Sequence, residues 1–305
     1  MKKITIGTSD LQASPIILGC MRIGEMSVNE LERLVFTAIE NGVNYFDHAD
    51  IYWEGRSEEL FGQLVSQHPD LREKIVIQTK CGIRSAFYDF SKEHILSSVD
   101  DSLRRLRTDF LDVLLLHRPD TLMEPDEVNE AFEILYKSGK VRHFGVSNQN
   151  PMQVELLKSK VQKPLIINQL QFSIMFAGLV DSGINVNMTN PSSVMHDGST
   201  LEYCRLKNMT IQAWSPFQFG HFEGVFLDNS RFPDLNNKIN ELAWIKKVSN
   251  TAIAAAWILR HPAHMQVITG TTNAQRLSDI CKATEVELTR EEWYAIYRAG
   301  GHTLP

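Results

Sequence analysis

The feature that most limits what this chain can become is an alternation repeated eight times: a short, nearly unbroken apolar run, then a segment with helical spacing. The runs are Pro15–Gly19, Val43–Ala49, Ile75–Cys81, Leu111–His117, Val141–Asn148, Leu165–Phe172, Thr210–Phe217 and Gln266–Gly270. Strands without a polar face are buried on both sides, and helical connections between them demand a parallel sheet. Eight such units predict an α/β fold of the (β/α)8 TIM-barrel type more than an open doubly wound sheet. No linker-like composition break or low-complexity tract divides residues 1–305, so one domain is expected.

Local signals place the remaining elements. Residues Lys3 to Leu18 read as two short β segments, an N-terminal hairpin, around a turn at Gly7-Thr8-Ser9-Asp10. Ser27 with Glu30, and Thr289 with Glu292, have the spacing of capping boxes, and the second opens an extra C-terminal helix. Asn150-Pro151 is the favoured cap-then-proline start, and Asn273 caps the helix after the last strand. Two stretches, Ser173–Ser199 and Gln218–Pro233, have no regular period and are expected to be long loops.

Charge and composition narrow the function classes. A net charge of −6 argues against nucleic acid as a partner. No apolar run reaches the roughly 18 residues of a membrane span. The N-terminus, Met1-Lys2-Lys3-Ile4, lacks the apolar core of a signal peptide, and Cys20, Cys81, Cys204 and Cys281 are too dispersed for a metal motif. The expectation is a cytoplasmic enzyme with reduced thiols and a small-molecule substrate, a monomer or weak homo-oligomer.

In a barrel of this kind the active site lies at the C-terminal strand ends. These ends hold Gly19-Cys20, Asp47, Lys80, His117, Ser147-Asn148, Asn168-Gln169, Trp214-Ser215 and Gly270-Thr271-Thr272, more polar than a structural rim requires. Tyr52 follows Asp47 by five positions, so a turn can bring its phenol back over the mouth. A phenol near pKa 10 is a poor acid, but a lysine ammonium beside it favours phenolate, and a carboxylate keeps that lysine charged. Asp47, Tyr52, Lys80 and His117 together suit protonation of a carbonyl oxygen as hydride reaches its carbon. Each taken singly has a duller role in packing or ion pairing.

Together with Phe46-Asp47-His48-Ala49, Thr79-Lys80, the run from Arg107-Thr108-Asp109-Phe110 to His117-Arg118-Pro119, Gly145-Val146-Ser147-Asn148, Trp214-Ser215-Pro216 and Gly270-Thr271-Thr272 with Arg276, the chain resembles the aldo-keto reductases over nearly its whole length. The resemblance implies a catalytic tetrad of Asp47, Tyr52, Lys80 and His117, with Tyr52 as general acid. It implies NADPH across the barrel mouth. Ser147, Asn148 and Gln169 would hold the carboxamide and Trp214 would stack on the nicotinamide. Gly19, Cys20, Met21 and Asp47 would line the cofactor, and Ser215, Pro216, Phe217, Gln218, Gly270, Thr271, Thr272 and Arg276 would follow its phosphates and adenosine. Trp53, Arg118 and Phe172 would shape the substrate pocket.

The chain departs from the family pattern in places. Gly270 stands where many members have lysine, leaving Arg276 as the marker of NADP. His48 replaces a small residue, and Arg118 replaces a bulky aromatic. Two other readings stay open at this level: a cofactor-binding regulatory or redox-sensing protein with little turnover, and a metal-dependent hydrolase using Asp47, His48, Asp50, Lys80 and His117. The second leaves Trp214–Gln218 and Gly270–Arg276 without a role. By strand alternation, His48 points away from Asp47.

Overall fold

The computed structural model describes residues 1–304. Its first elements are the two-residue strands β1 (Ile4–Thr5) and β2 (Gln12–Ala13), paired antiparallel. The return strand of this hairpin is thus separate from the first barrel strand, β3 (Ile16–Gly19). Then come α1 (Val28–Glu40), β4 (Tyr45–Asp47), α2 (Arg56–Gln67), β5 (Val76–Cys81), α3 (Lys92–Leu106), β6 (Leu111–Leu116), α4 (Pro125–Lys137), β7 (Val141–Ser147), α5 (Pro151–Lys158) and β8 (Leu165–Gln171). The chain continues through α6 (Gly178–Ile184), α7 (Thr200–Leu206), β9 (Thr210–Trp214), α8 (Pro233–Lys246), α9 (Asn250–Leu259), β10 (Gln266–Thr269), α10 (Ala274–Cys281) and α11 (Arg290–Ala299). Strands β3 to β10 pair in sequence order, all parallel, and β10 returns to β3 to close the barrel.

The helix starts follow their local chemistry. Ser27 and Glu30 exchange both capping-box bonds, as do Thr289 with Glu292 and Asn150 with Gln153. Such caps satisfy N–H groups that the first turn leaves without partners. One expectation needs correction. The stretch Ser173–Ser199 contains α6 and a helical turn at Pro191–Ser193, and its start is tied down from the C-terminus. Both ring nitrogens of His302 face acceptors, the Ile174 carbonyl and Asp181 Oδ1, and Tyr297 donates to the same Asp181 oxygen at 2.7 Å.

Alternation along the strands creates two apolar layers. Leu18, Phe46, Ile77, Leu114, Leu116 and Phe144 point outward and pack with the helices. Ile17, Tyr45, Val76, Val113, Leu115, Ile167 and Ile268 fill the barrel interior together with Ile6 and Ala13 of the hairpin region. The hairpin therefore plugs the N-terminal end. Gly7 lies at φ +53°, and a Cβ there would come within 2.4 Å of the Ile166 carbonyl oxygen, so the close approach requires glycine. With the lower end sealed, the C-terminal end is left as the open mouth.

Candidate active site

The same alternation decides what reaches that mouth. If Tyr45, Val76, Val113 and Ile167 point inward, so do Asp47, Lys80 and His117 above them, and Gln169 two places after Ile167. Lys80 and Asp47 are almost wholly buried. Lys80 Nζ donates to Asp47 Oδ2 at 2.9 Å, to the His48 carbonyl at 2.6 Å and to the Tyr52 hydroxyl at 3.1 Å, which uses its three hydrogens. One ammonium thus joins a carboxylate and a phenol.

Tyr52 reaches this position through an unusual turn. Trp53 and Glu54 both lie in the left-handed region, at φ 51° and 54°, and Gly55 follows at 91°. Each non-glycine residue there costs about 1–2 kcal/mol. The Trp53 ring rests on Gly24, where a Cβ would come within 2.4 Å of the indole. This packing holds the turn and leaves Trp53 about half exposed beside the mouth.

Electrostatics refine the sequence expectation. Burial raises the Tyr52 pKa more than the Lys80 charge lowers it, so the phenol holds its proton at neutral pH. Burial alone would depress Lys80, but Asp47 and Tyr52 more than offset it and keep the ammonium charged. Burial, then the Lys80 and Arg118 charges, push His117 well below its ordinary value, so its imidazole is neutral. His117 Nδ1 is buried without a partner. A bare lone pair there costs less than a stranded N–H, which places the single proton on Nε2.

The other strand-end residues divide by direction. Ser147 Oγ donates to the Gln169 carbonyl at 2.9 Å and accepts from Asn148 Nδ2 at 2.8 Å; Asn148 Oδ1 faces Trp214 Nε1 at 3.3 Å. Gln169 commits its amide group to Asp47 Oδ1 and Gln212 Oε1, both at 3.0 Å, leaving Oε1 for any ligand. Asn168 faces outward and donates to the Gln149 carbonyl. Gly19 closes β3, Cys20 is buried with its thiol toward the Leu18 carbonyl, and Met21 is exposed.

After β9, Ser215 turns at φ 52°, Pro216 is buried, Phe217 is half-buried and Gln218 Oε1 is buried without a partner. No side chain crowds Gly270, Thr271 Oγ1 accepts from the Asn273 N–H, and Asn273 caps α10 by accepting from the Arg276 N–H. Thr272 and the Arg276 side chain are exposed.

Two placements correct the sequence reading. Phe172 is fully buried and stacks on Trp257, so it belongs to the core and not to a substrate pocket. The residues suggested as metal ligands are not brought together: His48 packs edge-on against Phe61 while Asp47 faces the barrel interior. Among the described residues no group of His, Cys, Asp and Glu is arranged to hold a metal ion. Burial lowers His48 to about 3 and raises Asp50 to about 7, aided there by the Glu58 charge.

Sequence reasoning passed over several residues. Gln78, Gln212, Gln266 and Tyr45 lie inside the barrel and connect to Asp47; the signal was a polar side chain two or four places before a strand end. His221 and Phe222 flank Trp214 at centroid distances of 5.9 and 6.0 Å, and the Arg118 guanidinium lies 5.7 Å from its ring.

With this geometry in hand, comparison with known proteins is consistent along the whole chain. The sequence pattern of the Aldo/keto reductase family matches residues 15–300. The chain is 36% identical to the uncharacterized oxidoreductase YcsN of Bacillus subtilis, covering 100% of both chains. It is 32% identical to a 6-dehydroglucose reductase of Agrobacterium fabrum, covering 97% of each. The crystal structure of a thermostable aldo-keto reductase, Tm1743, in complex with the inhibitor epalrestat superposes with a TM-score of 0.79 at 25% identity, covering 98% of this chain and 100% of that one.

Proposed function

This chain belongs to the aldo/keto reductase family and is an oxidoreductase, and we propose that it reduces an aldehyde or ketone to an alcohol with NADPH, using Tyr52 as the general acid. The observation that carries this reading is the buried chain Asp47–Lys80–Tyr52, closed by hydrogen bonds of 2.9 and 3.1 Å and ending beside a neutral His117.

The residues at the mouth fit the cofactor. Gln169 Oε1 and the Ser147–Asn148 pair offer polar groups to a carboxamide, and the Trp214 indole lies beside Asn148. Gln218 Oε1 is a buried acceptor without a partner, as expected beside a ligand. The capped N-terminus of α10 and the exposed Arg276 suit a 2′-phosphate. When bound, NADPH supplies the hydride.

The chain's own groups do the rest. As the carbonyl oxygen gains charge, Tyr52 passes it the phenolic proton, and the resulting phenolate is stabilised by Lys80. Asp47 keeps Lys80 charged and aimed. The His117 Nε2–H donates to the same oxygen and orients the substrate. A phenol whose pKa is raised keeps its proton until that charge develops, so the acid is loaded at neutral pH.

The test is Tyr52→Phe, assayed on a carbonyl panel alongside NADPH and NADH titrations read by tryptophan fluorescence. Turnover should fall by about 100-fold or more, with NADPH binding retained and tighter than NADH. Parental turnover in the variant would mean another acid. A stable NADPH complex of the parent without turnover on any carbonyl would favour the regulatory reading.

A further inference from the structure

We propose that Gln78 and Gln212 are positioning residues: with Gln169 and Gln266 they form a directional amide relay, from the barrel floor to Asp47, that fixes the carboxylate and so aims Lys80 at Tyr52. The inference rests on the tetrad reading above. All four glutamines are almost wholly buried inside the barrel. Gln266 Nε2 donates to the Ser14 carbonyl at 2.6 Å, and Gln212 Nε2 donates to Gln266 Oε1 at 3.0 Å. Gln212 Oε1 accepts from both Gln78 Nε2 at 2.9 Å and Gln169 Nε2 at 3.0 Å. The same two amides converge on Asp47 Oδ1, at 2.6 and 3.0 Å, and the Tyr45 hydroxyl donates to Gln78 Oε1 at 2.8 Å.

The direction of this chain is not free. Ser14 offers a carbonyl, which can only accept, so the Gln266 amide group must face it and its oxygen must face Gln212. That orientation passes to Gln212, whose oxygen then requires N–H groups from both Gln78 and Gln169. Reversing any one amide would set oxygen against oxygen or N–H against N–H in a buried site. At the upper end two N–H groups meet one carboxylate oxygen, which must therefore accept from both. Lys80 Nζ also lies 2.8 Å from this oxygen. Two amide donors on one oxygen hold the plane of the carboxylate, and its other oxygen, Oδ2, then sets the direction of Lys80.

A packing role alone predicts that removing a glutamine lowers stability and nothing else. The relay predicts a change in the chemistry. Gln78→Met, which conserves volume, removes one donor from Asp47. The carboxylate should then turn more freely and aim Lys80 less well at Tyr52. Plateau kcat should fall about tenfold, while NADPH affinity stays within about twofold because Gln78 lies below the mouth.

Gln212→Met touches no group of the tetrad, yet it releases both amides that converge on Asp47. It should lower kcat by a smaller factor, and it decides the matter alone if Gln78→Met does not fold. Tyr52→Phe separates the two levels. If Tyr52→Phe is inactive while both glutamine variants fold, bind NADPH and keep the parental kcat, the relay is packing and the proposal is wrong. If Tyr52→Phe turns over normally, the tetrad reading fails and the proposal falls with it.

Discussion

Lys80→Met offers a direct measure of how the buried pair is built. Lys80 is fully buried and Asp47 nearly so, and among the described residues the ammonium is the only cation hydrogen-bonded to that carboxylate. Removing it strands a carboxylate inside the barrel with only the Gln78 and Gln169 amides as donors. Breaking a buried pair from one side costs about 3–5 kcal/mol. For a chain of this length that lowers the melting temperature by about 5–8 °C. Adding Asp47→Asn should recover most of the loss, because an asparagine oxygen can still accept from both glutamines while no charge remains buried. The coupling between the two substitutions should therefore be about 3 kcal/mol in thermal or urea unfolding. Turnover should behave differently. Both single variants and the double variant should lose at least about 100-fold in kcat, since none keeps an ammonium oriented at Tyr52. If Lys80→Met melted with the parent, or if the double variant were no more stable than Lys80→Met, the pair would not be the compensated unit described. If the double variant regained turnover along with stability, the charge on Lys80 would not be needed for the chemistry.

Two further predictions concern other parts of the fold. His302 is deprived of solvation by burial, but Asp181 and the Ile174 carbonyl accept from both ring nitrogens and raise its pKa. A raised folded value contributes stability that is fully present below the unfolded value of about 6.5 and lost as pH rises through the folded one. His302→Ala should thus cost about 1–2 kcal/mol at pH 6 and less at pH 9; equal melting-point losses at both pH values would refute the clamp. Arg118 lies against Trp214 and, among the described residues, has no carboxylate partner. Arg118→Met should raise KM about tenfold or more for an aldehyde bearing a carboxylate, but little for a neutral aldehyde of the same length. Equal changes for both would assign Arg118 to packing against Trp214.

The caps and strands were legible because their causes are local. Ser27 with Glu30 and Thr289 with Glu292 close their bonds over three residues, so spacing alone reveals them. The eight apolar runs, and the polar residue at the end of each, similarly indicated the barrel and its rim before any contact was known. His48 was read as facing away from Asp47 by period-two alternation, and its ring does pack outward on Phe61. Other features were out of reach. Phe172 stands one residue past β8, and nothing local distinguishes a mouth residue from one stacked on Trp257, 85 positions further along the chain. The stretch Ser173–Ser199 gains its order from Tyr297 and His302 at the far end of the chain.

What the sequence determined by itself was the inventory: which strands exist, which side chains stand at their ends, and which helices are capped. Tertiary structure decided the state of those side chains. Beside Tyr52, an adjacent lysine alone argues for a lowered pKa, yet closure of the barrel buries the phenol and reverses the direction. The glutamines that hold Asp47 came into view only when Gln169, 122 residues away, and Gln78, 31 residues away, met the same oxygen. The physical reason is range. Capping and alternation act over a few residues, whereas desolvation and hydrogen-bond direction depend on every strand that the closed barrel brings together.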